Sequence, residues 1–336
     1  MSMKRKKLFS RIGVMLIMIL LFTACSAPAN QENTGQQKEN VFPEKPIRII
    51  ITKSIGGSVD SAIRAIQPFL EKELGTSITL ENITDGGGRV ASEMVMNAAP
   101  DGYTLLVAPF PSAIVGELMY DGKVDFNQMT PIFNISLMYQ SVTVKGDSQI
   151  NTFDDLLELS KTKKLTMAGS GGMGSNASIV QLKLKDIGIK DLAMIPYPGS
   201  PEVTAAVMGG HNDISSGATS GKEWFIQDKA LKAIAVCAPE RLPDLPDVPT
   251  FVELGYPNFV VPLTSSIVGP PDMNPEVVKI LEEALYKVIE MPEVTEAAEK
   301  MTVTINPLDS EGLKELIQSN TELVEELLPK LLEEVK

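Results

Sequence analysis

The chain has 336 residues, 22% of them charged and 5% aromatic, with a formal net charge of −13 and two cysteines. That acidity argues against nucleic acid as a partner and against electrostatic docking on anionic lipid. Two cysteines exclude a disulfide framework, and a single histidine, His211, leaves no zinc-type ligand set, so neither a metal nor a cofactor is expected.

The first residues read as a targeting segment. Lys4, Arg5, Lys6, Lys7 and Arg11 precede an apolar run from Ile12 to Phe22, and Leu21-Phe-Thr-Ala24 ends directly before Cys25. This is the pattern of a secretory signal over residues 1–24, too short and one-sided for a membrane span. The small residue before Cys25 makes the site resemble a lipobox, which predicts a lipidated Cys25. Residues 25–41, with the polar run Gln31–Asn40, read as a flexible tether. Residues 1–24 hold five of the 30 basic residues and none of the 43 acidic ones, so without them the charge is −18. Only Arg48, Arg64, Arg89 and Arg241 then remain as arginines, which argues against an arginine-built anion site.

From Phe42 onwards strands and helices alternate. The β-branched run Ile47–Thr52 predicts a buried strand, and a Gly56-Gly57 turn then leads into a helix over Asp60–Leu74, stopped by Gly75. A strand over Ser77–Glu81, a helix over Val90–Ala98 and a strand over Tyr103–Ala108 continue the βαβ rhythm of a mostly parallel sheet. Ile132–Val144 is a long β-rich run able to pass from one domain to the next. Thr152, with Asp155 three residues on, predicts a capping box for a helix over Asp154–Ser160. A strand over Leu165–Ala168 then leads to a second Gly-rich corner, Gly169-Ser-Gly-Gly-Met-Gly-Ser175, and a helix over Ala177–Lys185.

Strands over Met194–Pro196, Asn212–Ser215 and Leu231–Cys237 follow, with helices over Pro201–Met208 and Lys222–Asp228 between them. Phe259–Val268 reads as a second long strand crossing back. Helices over Pro275–Ile289, Pro292–Lys300 and Glu311–Glu334 finish the chain with a short strand over Thr302–Ile305, and Pro329 is expected to kink or end the last helix. Two long connections that leave and return imply a discontinuous first domain, 42–138 plus 259–336, and an inserted second one, 139–258. A cleft would lie between them.

Each Gly-rich corner joins a strand to a helix start, where free backbone N–H groups meet the positive end of the helix dipole. Such corners hold anions. Neither is followed by Gly-Lys-Ser/Thr, so a P-loop fails, and no acidic ribose-binding residue follows the second corner as a dinucleotide fingerprint requires. No Gly-x-Ser-x-Gly elbow exists, and catalysis would have to rest on Asp60 or on His211, a turn residue. Ser58, Ser170 and Ser175 fit better as hydroxyl donors and helix caps. Asp213 is read as approaching the cleft from its strand, and Cys237 as a small buried residue.

Further strings carry a resemblance. Phe42-Pro-Glu-Lys-Pro-Ile-Arg48, Gly56-Gly-Ser-Val-Asp60, Ala99-Pro-Asp-Gly-Tyr-Thr-Leu-Leu106, Pro196-Tyr-Pro-Gly199, Gly209-Gly-His-Asn-Asp213, Leu231-Lys-Ala-Ile-Ala235 and Leu245-Pro-Asp-Val-Pro-Thr250 run in one order along the chain. They resemble the substrate-binding proteins of tripartite tricarboxylate transporters, the Bug/TctC family. The resemblance implies an α/β, two-domain periplasmic-binding-protein-like fold (type II-like) with two crossing hinge strands and an interdomain cleft.

It also implies a carboxylate ligand held between the loops Thr52–Asp60 and Gly169–Asn176 by amides, hydroxyls and bridging water. The contact set expected here is Ser54, Ile55, Gly56, Gly57, Ser58, Asp60, Ser112, Ser170, Gly171, Gly174, Ser175, Asn176 and Asp213. Departures from the family pattern are Thr52-Lys-Ser-Ile55 in place of Pro, an aromatic, Pro and Ala, Arg89 in place of Asn, and Ser178 in place of His. The expected protein is a monomeric, non-enzymatic, lipid-anchored extracytoplasmic receptor. It would deliver a small carboxylate to transporter membrane subunits. The alternatives are a ligand sensor for a signalling partner and a secreted hydrolase.

Overall fold

The computed structural model describes residues 42–218 and 230–334. The predicted signal, Cys25, the tether and the helix over residues 222–228 lie outside the described residues.

The Ile-rich run folds as β1 (Ile47–Ile51), which no residue alternation protects from burial on both faces. Helix α1 (Ser58–Leu74) carries Val59, Ala62, Ile63, Ile66 and Leu70 on one face, and Gly75 ends it in the left-handed region at φ 67°. β2 (Ile78–Asn82) and β3 (Thr104–Ala108) flank β1, both parallel to it, with Ile49 opposite Leu80 on one side and Leu105 on the other. Full burial of Ile49 and Leu105 contributes about 1.5–3 kcal/mol each. Between β2 and β3 lie a single 3₁₀ turn, Asp85–Gly88, and α2 (Arg89–Met96).

α3 (Ser112–Met119) follows β3 and was not visible in the sequence. Its segment Ser-Ala-Ile-Val-Gly-Glu-Leu-Met has no polar face to give a helical period, because even Ser112 and Glu117 are buried. β4 (Thr130–Lys145) is the long strand, 16 residues where five or six are usual. It serves two sheets. Thr130–Tyr139 pairs antiparallel with β9 (Pro262–Gly269), and Gln140–Thr143 pairs with β7 (Ile214–Ala218).

The capping box is present as expected. The Asp155 N–H donates to Thr152 Oγ1, and the Thr152 N–H to the Asp155 carboxylate, at the start of α4 (Phe153–Ser160). β5 (Leu165–Ser170) lies parallel between β7 and β6 (Leu192–Tyr197), with α5 (Asn176–Asp186) and α6 (Ser200–Met208) as the crossovers. β8 (Leu231–Val236) pairs with the far end of β4. The full order is β2-β1-β3-β9-β4-β7-β5-β6, with β8 and β10 (Ile305–Leu308) also on β4. The sheet is therefore two parallel triplets joined through antiparallel β9 and β4, which is the two-domain periplasmic-binding-protein-like α/β fold.

α7 (Pro275–Ile289) and α8 (Pro292–Lys300) match the expected spans, and α7 and α8 both pack on α1. Two features differ from expectation. Thr302 turns at φ 55° after α8, which delays β10 by three residues. α9 (Ser310–Glu333) runs through Pro329 instead of ending there, because Pro329 is on the exposed side, where water can take the carbonyl it leaves free. α9 packs on α3, β4 and α5, and Lys330 and Glu334 pair with Asp186 and Lys185 of α5. Among the described residues no helix is long and apolar enough to cross a membrane.

Candidate functional site

Both Gly-rich corners lie at the carboxyl ends of parallel strands, β1 and β5, where helix N-termini gather. The first corner is fixed from inside. Asp60 is wholly buried in the first turn of α1. Its Oδ2 accepts from the Gly56 N–H and from Arg64 Nε, both at 2.8 Å, and its Oδ1 from Asn82 Nδ2 at 2.8 Å. Asn82 Nδ2 also donates to the Lys53 carbonyl at 2.8 Å.

Burial alone would raise the Asp60 carboxyl. The hydrogen bonds from Arg64, Gly56 and Asn82 outweigh it and hold the group below the usual carboxylate range. Both oxygens have protein partners, so the structure gives Asp60 the role of shaping the corner from within. Arg64 and Asn82, which the sequence did not single out, are its partners. Only the i,i+4 spacing of Asp60 and Arg64 could have pointed to one of them.

Outside this knot, Ser54, Ile55 and Gly56 are exposed, Ile55 at 75%. Gly57 is the N-cap of α1, and no side chain caps the helix there. The Gly57 N–H donates to the Ser54 carbonyl at 3.2 Å, so the first-turn amides from Ser58 onward and the half-buried Ser58 hydroxyl are left at a positive helix end. A third glycine turn buttresses this corner. Gly88 sits at φ 103°, and a Cβ there would come within 2.7 Å of Thr52 Cβ.

The second corner follows β5. The Gly171 N–H donates to the Tyr197 carbonyl at 2.8 Å, and the Gly174 N–H to Ser178 Oγ at 3.1 Å. Ser178 Oγ donates onward to the Ser175 carbonyl at 2.6 Å. Ser178, the departure from the family's His, thus knits the corner itself. Ser175 is the N-cap of α5 but makes no capping bond, and its Oγ is buried with no hydrogen-bond partner. Next to it, Asn176 Nδ2 donates to the Pro262 carbonyl of β9 at 2.9 Å, while its Oδ1 is buried and unpartnered. Buried hydroxyl and amide oxygens are rarely left without partners. Ser170 is half-buried at the end of β5.

α3 and the residue after it reach the second corner. A Cβ on Gly174 would lie 3.7 Å from Met119 Sδ and from Tyr120 Cε2. Tyr120 Oη donates to the Met173 carbonyl at 3.3 Å. Arg89, at the start of α2, donates from Nη1 to the Tyr120 carbonyl at 3.1 Å and lies 5.2 Å over its ring. These contacts join the Gly86–Gly88 turn to the second corner through Tyr120. Ser112 points inward, its hydroxyl donating to the Pro109 carbonyl at 3.4 Å.

Asp213 is not brought to either corner. It accepts from Lys163 Nζ at 2.5 Å and from the Thr166 N–H at 2.9 Å and hydroxyl at 3.1 Å. Thr166 is at the amino end of β5, four residues or about 13 Å below Ser170. The Asp213 reading is therefore corrected: it locks the base of β5 and β7. Its carboxyl would be raised by burial, but the bonds from Lys163 and Thr166 hold it low. His211 is an exposed turn residue, its N–H donating to the Ala206 carbonyl at 2.9 Å. Cys237 is buried, and burial pushes its thiol far up. Neither is near a nucleophile–base pair, and no cluster of three or more potential metal ligands occurs among the described residues.

Two hollows, of about 400 and 390 Å³, lie elsewhere. The first runs along β6 and α5, and of the second corner only Met173 lines it. Its Lys185 and Lys164 are already paired with Glu334 and Asp191. The second lies between α9 and the segment Phe126–Pro131. The corners are the better site on physical grounds, because they combine helix N-termini that no side chain caps with buried polar oxygens that lack partners.

The model of the tripartite tricarboxylate transporter receptor family, TctC, matches residues 62–331. A UPF0065 protein of Cupriavidus necator is 28% identical over 306 residues, covering 89% of each chain. Among solved structures, MatC of Rhodopseudomonas palustris with bound malate superposes with a TM-score of 0.73 at 23% identity, covering 85% of this chain and all of the other. A second R. palustris protein, with adipate, superposes at 0.76 and 17% identity, covering 86% and 98%. With a family match over most of its length and the same fold in these structures, the chain belongs to the tripartite tricarboxylate transporter receptor family, the Bug/TctC substrate-binding proteins.

Proposed function

We propose that the chain is an extracytoplasmic solute-binding lipoprotein, anchored through Cys25, that captures a small carboxylated metabolite between its two Gly-rich corners. It would hand the ligand to the membrane subunits of a tripartite transporter, acting as a monomer and without catalysis. The observation that carries this reading is the pair of unpartnered buried oxygens at the start of α5, Ser175 Oγ and Asn176 Oδ1. A carboxylate oxygen can accept from Ser175. A bridging water or ligand hydroxyl can donate to Asn176.

The Ser58 N–H, the Ser58 hydroxyl and Ser170 would supply the remaining contacts, with Gly57, Gly171 and Gly174, whose N–H groups donate to Ser54, Tyr197 and Ser178, shaping the corners that present them. Malate and adipate in two structures of the same fold support a carboxylate. Hydrogen bonds to a charged group contribute about 1.5–3 kcal/mol each, so a handful reach the roughly 8 kcal/mol of micromolar binding without an arginine clamp. Residues 42–138 plus 259–336 and residues 139–258 would close as two bodies about β4 and the β9 connection.

Calorimetry with a panel of mono-, di- and tricarboxylates and acidic amino acids tests the reading. Ser175→Ala should weaken binding of whichever member binds by about tenfold or more, with the unfolding midpoint unchanged. Turnover of a ligand, absence of binding across the panel, or an unaltered affinity in Ser175→Ala would each overturn it.

A further inference from the structure

Ser175 Oγ and Asn176 Oδ1 are buried as well as unpartnered. Groups that are to meet a ligand arriving from solvent must be uncovered at some point. What lies against their corner comes from the far side of the predicted cleft. A Cβ on Gly174, the residue before Ser175, would stand 3.7 Å from Met119 Sδ, 3.7 Å from Tyr120 Cε2 and 3.8 Å from Val115 Cγ1. All three belong to α3 or to the residue that follows it.

Tyr120 is the outermost of these, with 47% of its surface exposed, so it lies across the join and not in the core. Its two attachments differ in strength. On its own side Arg89 Nη1 donates to its carbonyl at 3.1 Å, with the guanidinium 5.2 Å over its ring. Arg89 is itself anchored, Nε donating to the Gly86 carbonyl at 3.1 Å. Across the join there is one long hydrogen bond, from Tyr120 Oη to the Met173 carbonyl at 3.3 Å, and the packing on Gly174. A parting of the two sides would therefore break the Met173 contact first and carry Tyr120 away with Arg89.

We propose that Tyr120, held by Arg89, is a gate over the second corner. Closed on Met173 and Gly174 in the empty protein, it parts from them to let a ligand reach Ser175 and closes again behind it. The inference rests on the reading of the second corner as a binding site and adds control over the rate of entry and exit. Because the same contacts are made with the site empty and filled, they raise the barrier in both directions and cancel from the affinity.

The test has two arms. In a Cys25→Ser background the native thiol, Cys237, is buried, so Ser175→Cys reports the second corner and Ser54→Cys an exposed position of the first. With a thiol-reactive aromatic disulfide, Ser175→Cys should react about a hundredfold more slowly than Ser54→Cys. Adding Tyr120→Ala should speed Ser175→Cys by about tenfold and leave Ser54→Cys unchanged, and Tyr120→Phe, which loses only the bond to Met173, should give a smaller increase. In stopped-flow mixing with a carboxylate that binds, Tyr120→Ala should raise association and dissociation rates together by about tenfold, with Kd within about twofold. Equal reactivity of Ser175→Cys with and without Tyr120→Ala would overturn the gate. So would a Kd weakened through dissociation alone, which would make Tyr120 a ligand contact. Absence of binding by any carboxylate would instead defeat the reading on which the gate stands, while the thiol rates would still show whether the corner is covered.

Discussion

A buried carboxylate does most to set the shape of the first corner. Asp60 collects a backbone amide, a guanidinium and a carboxamide in one place, tying α1, β2 and the glycine loop together. Asp60→Asn would put an N–H₂ where one donor now points and leave Arg64 without its partner. We expect a loss of about 2–3 kcal/mol in urea unfolding. The folded-state pKa is depressed, so the stabilisation is complete above the unfolded value near pH 3.9 and is lost as pH falls through the folded one. The difference between wild type and Asp60→Asn should therefore shrink below about pH 4. A constant difference across that range would mean that the charge is not what the corner uses.

Three glycine turns carry the site's elements, and the glycines within the Gly86–Gly88 turn are not equivalent. Gly87 is at φ 76° with open space where a Cβ would stand, whereas Gly88 is at φ 103° with Thr52 packed against that position. Gly87→Ala should cost about 1 kcal/mol, the usual expense of a left-handed alanine. Gly88→Ala should cost clearly more, about 2–4 kcal/mol, since the 3₁₀ turn and the end of β1 must move apart. Thermal unfolding of the two variants checks the order, and a reversed order would show that the turn yields more easily than its packing implies.

Other elements were legible because their signals are local. The capping box at Thr152 and Asp155, the stop at Gly75 and the Pro-started helices α7 and α8 depend on neighbours in sequence. α3 was not legible because its burial on all sides erases the period that marks a helix.

At the scale of the molecule, β4 borders one parallel triplet through β7 and reaches the other through β9, and α9 packs on both α3 and α5. The proposed closure would hinge about a few strand residues while Lys185–Glu334 and Lys330–Asp186 tie α5 to α9. Its acidic surface suits a protein kept off anionic lipid, and the proposed anchor at Cys25 would then supply the only membrane affinity. Cys25→Ser should move the protein from the membrane fraction to the soluble one on cell fractionation, with ligand affinity unchanged. Retention at the membrane would refute the anchor.

The sequence by itself determined the alternation of strands and helices, the two Gly-rich corners, the long strand and the family, since each is written in contiguous residues or in strings that keep their order. Tertiary structure alone decided which groups at the corners are occupied and which are free. Asp60 and Asp213 look alike in sequence, each an acid beside a glycine turn. Strand register places one under the first corner and the other at the opposite end of β5, and partners distant in the chain saturate both. Ser175, with no distinguishing neighbour in sequence, is left with a buried hydroxyl and no partner. Hydrogen-bond satisfaction depends on what the fold brings within 3 Å, and periodicity along the chain carries no record of it.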